Sequence, residues 1–369
     1  MDYNYCYKHG AGLQNLQDII KELDNNTYVF PIHPECCTIY SLKKDLGDEV
    51  EFYELPAIKE FDIENLQRVK IDKKALGTSY EYIKKTNMFM RYHEENYSQI
   101  MTVDPTIFSS SGLSTARHLG GSEPCTERDL LFRRALSKTK GTPRFITRNE
   151  KNGFSKLLAV YGKRYKDCTQ EEFILTATKA LMKLFTIDPA RVVWSIDEKS
   201  TKILYPIYEN NISTGILQAG CCFTVSQCQK ENSIAFGFIL KDDYISSFVP
   251  VSVTMLNHSY DVSTMLNNEK ANKVYERCSA WKNISYMCEK EPANFERVKD
   301  IVQKAIAESY LSTENGKSVL SRELEDASAD KTMLDSIGRL IKIVPKFPSP
   351  SRSFKTIGAA LNTLLQNYG

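Results

Sequence analysis

Residues 191–255 alternate between apolar and polar side chains, and this stretch limits the fold more than any other part of the chain. Period-two alternation is typical of β-strands. Five such runs follow one another: RVVWSID, KILYPIY, TGILQAGCCFTVS, SIAFGFIL and YISSFVPVSVTML. The polar turns between them are too short for a crossover connection, so neighbouring strands must be antiparallel. We therefore predict one antiparallel meander of about five strands over 191–255, with Val249, Val251 and Val253 on its packed face.

Helical periodicity flanks this sheet on both sides. Thr169 to Glu172 forms a capping box, a hydroxyl N-cap with a carboxylate at the third helical position, which predicts a helix that ends near Asp188. Further elements are predicted in the C-terminal third: helices over 267–288, 292–311 and 316–342, a proline-rich linker (344–352) and an amphipathic tail helix (353–367). Helices packed on an antiparallel sheet make this an α+β protein.

The N-terminal portion differs from the remainder in composition and period. A helix is predicted for LQNLQDIIKELD, short strands follow it, and 61–99 has a tyrosine-rich helical pattern. From 102 to 125 the chain is rich in Ser, Gly, Pro and Thr, which indicates a long loop. We therefore divide the sequence into an acidic N-terminal α/β region, 1–125, and a second region, 126–369, that holds basic helices, the sheet and the C-terminal helices.

The composition indicates a globular protein of a reducing compartment. Hydrophobic residues make up 42% and charged residues 25% of the chain, which are average values for folded proteins. The N-terminus lacks the basic and apolar pattern of a signal peptide, and no run of about 18 apolar residues predicts a membrane span. Ten cysteines without framework spacing do not form a disulfide scaffold. We therefore expect a cytoplasmic protein with no membrane partner.

Charge is distributed unevenly, although the net charge is only +2. Residues 13–72 contain 13 acidic and 6 basic residues, whereas 128–166, which we call the basic segment, contains 12 basic and 2 acidic residues. Such asymmetry indicates a polyanionic partner, because Lys and Arg bind phosphates. Aromatic side chains lie among these cations, and exposed aromatic rings can stack on unpaired bases.

The principal hypothesis is a non-catalytic protein, of a phage or viral type, that binds single-stranded nucleic acid or assembles with it and needs no cofactor. Two helices are predicted within the basic segment, ERDLLFRRALSK and NGFSKLLAVYGK. The predicted phosphate-binding side chains are Arg128, Arg133, Arg134, Lys138, Lys140, Arg144, Arg148, Lys151, Lys156, Lys163 and Arg164. The competing interpretation is a solvated helix face that balances the acidic N-terminal region within the same molecule.

Two other functions remain open. An enzyme acting on a phosphorylated or nucleotide substrate could use the loop 109–123, with backbone N–H groups near Ser111 and the side chains of Arg117 and His118 around a phosphate. A purely structural homo-oligomer would bring the basic segment of one copy against the acidic region of the next. The tail helix is too short to be stable alone, so it must pack either on its own domain or on a neighbouring copy.

No catalytic group or metal site is predicted. His33, Cys36 and Cys37 lie close in sequence, but adjacent cysteines on a strand point to opposite faces. Cys222 and His258 are one candidate for a nucleophile with its base, although a cysteine in such an apolar stretch is more typical of a core residue. No set of motifs in the chain is characteristic of a known family.

Overall fold

The structure, a computed structural model, contains two compact units, each built around one β-sheet. The described residues are 8–56, 66–95, 97–103, 144–149, 154–161, 166, 168–197, 200–226, 231–294, 297, 300, 329–346 and 350–368. The first unit is formed between residues 21 and 169, and the second from 8–20, 170–226 and 231–368. Composition places the division after residue 125, whereas the packing places it after Thr169. The described part of the basic segment therefore belongs to the first unit.

The strands are β1 (Lys8–Ala11), β2 (Thr27–Pro31), β3 (Cys37–Asp45), β4 (Glu49–Pro56), β5 (Arg68–Asp72), β6 (Met88–Glu94), β7 (Tyr97–Val103), β8 (Arg144–Asn149), β9 (Phe154–Tyr161), β10 (Val193–Ile196), β11 (Thr201–Ile212), β12 (Gly215–Val225), β13 (Glu231–Leu240) and β14 (Val249–Asn257). The helices are α1 (Leu13–Asn25), α2 (Lys73–Leu76), α3 (Ser79–Thr86), α4 (Gln170–Leu184), α5 (Val262–Leu266), α6 (Glu269–Lys290), α7 (Met333–Ile343) and α8 (Pro350–Leu365). The α+β class is confirmed. Among the described residues, no helix is both long and apolar enough to cross a membrane.

The second unit contains the predicted meander. Its six-stranded sheet has the order β1-β10-β11-β12-β13-β14, and every neighbouring pair is antiparallel. The last five strands correspond to the five predicted runs. β1 extends the sheet by pairing with β10, where Gly10 lies opposite Trp194 and the indole takes the space that a side chain at position 10 would need. The sequence does not predict β1, because KHGA carries no alternating pattern.

A β-bulge interrupts the alternation within β14. Val249 pairs with Phe238 and Val253 pairs with Ala235, but the register shifts between these pairs and leaves Val251 without a partner. One extra residue turns Val249 and Val253 to opposite faces of the sheet. Val249 and Val251 are buried, whereas Val253 is 54% exposed. The prediction of a shared packed face is therefore wrong for Val253.

Helices α4 and α6 cover one face of this sheet through aromatic contacts. The ring of Phe173 meets Phe223 edge-on with centroids 5.8 Å apart, and Trp281 packs on Phe238 at 4.6 Å. Both partner rings belong to the same face, since Phe223 pairs with Ile234, four positions before Phe238. The opposite face carries its own cluster of buried apolar side chains: Leu204, Cys222, Ala235, Ile239, Ile245 and Phe248. The sheet is thus packed on both sides.

The tail helix, α8, packs on β14 of its own chain. It begins at Pro350, three residues before the predicted start, because proline is well suited to the first helical turn. Ile357 and Leu361 on its apolar side are fully buried. Gly358 approaches β14 so closely that a Cβ atom would overlap the carbonyl oxygen of Pro250. Of the two locations predicted for this helix, the structure has the one within its own domain.

We expect Gly358→Ala to lower the free energy of unfolding of the second unit by about 1–3 kcal/mol, because the added methyl group meets main-chain atoms that cannot rotate away. Thr363→Ala, at an exposed position of the same helix, should change it by less than about 0.5 kcal/mol. Urea unfolding followed by tryptophan fluorescence measures both values. Equal stability of the two variants would contradict the close contact between α8 and β14.

The first unit contains an eight-stranded sheet in the order β2-β8-β9-β7-β6-β3-β4-β5. All neighbouring strands are antiparallel except β7 and β9, which are parallel. Helices α2 and α3 pack over one face, where Leu76, Tyr80 and Ile83 join the same apolar cluster as Phe52 and Phe89. The helix predicted over 61–99 is therefore wrong for most of its length, since among the described residues of this range only 73–76 and 79–86 are helical and β5, β6 and β7 surround them.

The second helix predicted in the basic segment is also wrong, because NGFSKLLAVYGK contains strand β9. Leu157 packs with Phe145 in the cluster on one face of the sheet, while Leu158 and Ala159 pack with Ile146 in a separate cluster. A short apolar run buried on both faces contains apolar pairs at helical spacing as well, so periodicity alone does not distinguish the two structures.

Several predicted elements lie outside the described residues. These are the helix ERDLLFRRALSK, the loop 109–123, most of the helix predicted over 292–311 and the first part, 316–328, of the helix predicted over 316–342. The helix predicted over 267–288 is confirmed as α6, and the end of the last predicted helix corresponds to α7.

Candidate functional site

Three of the eleven predicted phosphate-binding side chains lie in the described strands β8 and β9. Arg148 and Lys156 are directly opposite each other across this strand pair, and each is only 7% exposed. Arg148 Nε donates a hydrogen bond to Thr27 Oγ1 at 3.4 Å. Arg144, at the start of β8, is partly exposed. A bulky polyanion cannot reach buried head groups without rearrangement, and Arg144 is the only one of these three with a partly exposed side chain.

Among the aromatic side chains of the basic segment, burial is described for Phe145. Phe145 is fully buried in the core of the sheet, so it stabilises the fold and is not available to stack on a base. The other predicted site residues lie outside the described part of the chain: Arg128, Arg133, Arg134, Lys138, Lys140, Lys151, Lys163, Arg164, Ser111, Arg117 and His118.

A cleft of about 310 Å³ lies within the second unit, and we call it the second-unit cleft. Its walls come from β1, β10, β12 and the segment that connects β13 to β14. Val193, Trp194 and Ile245 provide apolar lining. The rings of His9 and Tyr244 meet edge-on at the lining, with centroids 4.7 Å apart and an angle of 83° between the planes. This volume is at the lower end of the range for small-molecule sites.

One side of the cleft contains a charged network that is satisfied within the protein. Arg191 Nη2 forms an ion pair with Glu209 Oε1, and Gln218 Nε2 donates to the same oxygen at 2.7 Å. Strand register explains the second contact, because Glu209 on β11 lies opposite Gln218 on β12. Glu209 is therefore neutralised by protein groups, while Gln218 is held in the cleft wall with only 6% of its surface exposed.

The segment after β13 brings three charged side chains to the other side of the cleft. Lys241 continues the ladder, since its backbone N–H donates to Ile216 O at 2.9 Å. The chain then turns through Asp242, which has a left-handed φ of +70°, a conformation that Asp tolerates better than most residues. The pKa of the Asp243 carboxyl is raised, first by burial and then by the neighbouring charge of Asp242. This side of the cleft thus combines one cation with two adjacent carboxyl groups.

The cysteines and histidines show no nucleophilic or metal-binding arrangement in the described residues. Burial raises the pKa of Cys222 to about 12, and burial lowers the pKa of His258 to about 4. Both shifts favour the neutral forms, whereas a cysteine nucleophile requires a thiolate. Cys222 lies in an apolar cluster, as the core interpretation predicts. No group of three or more His, Cys, Asp or Glu residues in the described ranges could hold a metal ion, and Cys37, near His33, is buried in the sheet core.

The second-unit cleft is not visible in the sequence. His9 precedes α1, and Asp242 and Asp243 belong to a KDD stretch that is typical of any polar turn. Only the pairing of β1 with β10 brings these positions together, and that pairing joins residues about 185 positions apart along the chain. The chain matches no protein-family model, no curated protein and no solved structure.

Proposed function

We propose that the protein binds single-stranded nucleic acid through the cations of the basic segment. The observation that carries the proposal is the charge of this segment, 12 basic against 2 acidic residues within 128–166. Phosphate groups along a nucleic-acid backbone are the commonest partner for such a charge density, and binding releases the counterions that they hold.

The structure narrows the set of residues that this proposal needs. Arg148 and Lys156 are buried in the eight-stranded sheet, so we assign them to the fold and not to phosphate contact. Phe145 is likewise a core residue, which leaves fewer rings for stacking on bases. Binding then depends mainly on phosphate contacts, and these carry no sequence information. We therefore expect affinity that depends strongly on salt and only weakly on base sequence.

The test compares two fourfold variants with the same change in net charge. The first replaces Arg133, Arg134, Lys138 and Lys140 by alanine, and the control replaces four exposed lysines of α4 and α6, Lys179, Lys183, Lys270 and Lys282. Fluorescence anisotropy with a labelled single-stranded oligonucleotide gives the affinity at several salt concentrations. The first variant should bind more weakly, and the slope of log affinity against log salt should become shallower by about 3, because four phosphate contacts are lost. The control should keep the original slope.

Two outcomes would contradict this function. Equal loss of affinity in both variants would mean that overall charge, and not the basic segment, attracts nucleic acid. Absence of binding at low salt would favour the structural homo-oligomer, in which the basic segment meets the acidic region of another copy. That alternative predicts an assembly that dissociates as salt is raised, and light scattering without nucleic acid detects it.

A further inference from the structure

The second-unit cleft contains charged groups that the protein leaves without partners. Neither Asp242 nor Asp243 has a cation within ion-pair distance among the described residues, and Lys241 has no carboxylate partner there. Asp242 and Asp243 are exposed neighbours of like charge, and the charge of Asp242 adds to the desolvation that raises the pKa of the Asp243 carboxyl. A bound ligand with a positive group would relieve the repulsion.

Gln218 provides a second and independent indication of a ligand. Its side chain is more than nine-tenths buried in the cleft wall, and its amide nitrogen is used by Glu209 at 2.7 Å. The amide oxygen accepts no hydrogen bond from the described part of the protein. The amide oxygen is not fully enclosed by protein atoms, so an N–H group of a ligand in the cleft can donate to it.

Part of the remaining lining is apolar. Trp194 donates its indole N–H to Gly12 O at 3.0 Å, which fixes the ring, and Val193 and Ile245 lie beside it. The cleft therefore offers acceptors for an ammonium group, one cation for an anionic group and a surface for an apolar side chain. Its volume of about 310 Å³ suits a compact molecule.

We propose that the second-unit cleft binds a small zwitterion of the α-amino-acid type with an apolar side chain. Asp243 and the amide oxygen of Gln218 receive the ammonium group, and Lys241 pairs with the carboxylate. The apolar side chain packs on Val193 and Trp194. The proposal concerns the second unit alone and does not depend on nucleic-acid binding by the basic segment.

Calorimetric titration of the full chain with a matched set of probes tests the ligand class. L-phenylalanine and L-leucine contain all three groups, whereas phenethylamine lacks the carboxylate and 3-phenylpropionate lacks the amine. At least one of the two amino acids should bind saturably, and the two truncated probes should bind at least about tenfold more weakly, because each loses a charge-assisted contact. Equal affinity for all four probes, or no saturable binding by any of them, would overturn the proposal.

Variants at exposed positions then assign the contacts. Asp243→Asn and Lys241→Met should each weaken binding of the amino acid by at least about tenfold. The truncated probes separate the two roles, since Asp243→Asn should leave 3-phenylpropionate unaffected and Lys241→Met should leave phenethylamine unaffected. Glu289→Gln and Lys282→Met, both exposed on α6, make the same charge changes elsewhere and should bind like the parent protein. Unchanged affinity in both cleft variants, with circular dichroism showing an intact fold, would place the ligand elsewhere.

Discussion

Replacing Trp281 by alanine is expected to lower the free energy of unfolding of the second unit by about 3–5 kcal/mol. The indole is fully buried, and its ring centroid lies 4.6 Å from that of Phe238 and 6.3 Å from that of Phe236. Its Nε1 also donates to Asn210 Oδ1 at 3.2 Å. Truncation removes apolar contacts, opens a cavity between α6 and β13, and leaves Asn210 without this donor, so all three effects act in the same direction.

Equilibrium unfolding in urea measures this loss. The chain has only two tryptophans, and both lie in the second unit, so the fluorescence of Trp194 still reports on that unit in the Trp281→Ala variant. Trp281→Phe keeps much of the apolar volume and should cost less than the alanine variant. Tyr286→Ala, at a position of α6 that is 57% exposed, is the control. If Trp281→Ala is as stable as this control, the indole does not hold α6 on the sheet.

The meander could be predicted from the sequence because the information is local. Each strand has its own alternation, each turn is short, and adjacent strands therefore pair in sequence order. The same reasoning predicts α6, since a long helical period is distinct from a strand pattern. The alternation of the sequence does not predict the bulge in β14. There one unpaired residue, Val251, reverses the face of every side chain after it. The exposure of Val253 follows from that single shift.

The eight-stranded sheet was harder to predict for a different reason. β9 pairs with β8 and, in parallel, with β7, whose residues lie more than fifty positions earlier in the chain. Burial on both faces then replaces alternation by a continuous apolar run, which resembles a helix stripe. The same local pattern gives no indication that cations on these strands are buried. The sequence predicts Arg148 and Lys156 as phosphate-binding side chains, but the strand pair buries both.

A buried polar cluster at the start of α7 also contributes to the stability of the second unit. The guanidinium of Arg339 forms a two-pronged ion pair with Asp330, with Nη2 at 2.7 Å and Nε at 3.0 Å from Oδ1. The two side chains are only 6% and 1% exposed. Next to them, Thr332 and Asp335 form a capping box, and the Asp335 carboxylate accepts the backbone N–H of Ser213 at 2.6 Å. The helix is thus tied to the turn between β11 and β12.

We expect Arg339→Met to lower the free energy of unfolding of the second unit by about 3–5 kcal/mol, because Asp330 would remain as a buried charge without its partner. Lys282→Met, an exposed change of the same type, should cost less than about 0.5 kcal/mol. Urea unfolding followed by tryptophan fluorescence measures the free energy of unfolding of both variants.

The double variant Arg339→Met with Asp330→Leu separates charge from packing. Removing both partners eliminates the unpaired carboxylate, so the double variant should recover much of the stability that Arg339→Met loses. Methionine keeps an apolar stem in place of the arginine methylenes, and leucine has the same branched outline as aspartate with two methyl groups in place of the carboxylate oxygens. Ser213 Oγ, which lies 3.3 Å from Asp330 Oδ1, is partly exposed and can turn to water when the carboxylate is gone. If the double variant is no more stable than Arg339→Met alone, the loss comes from the shape of the arginine side chain, and the electrostatic account of this cluster is wrong.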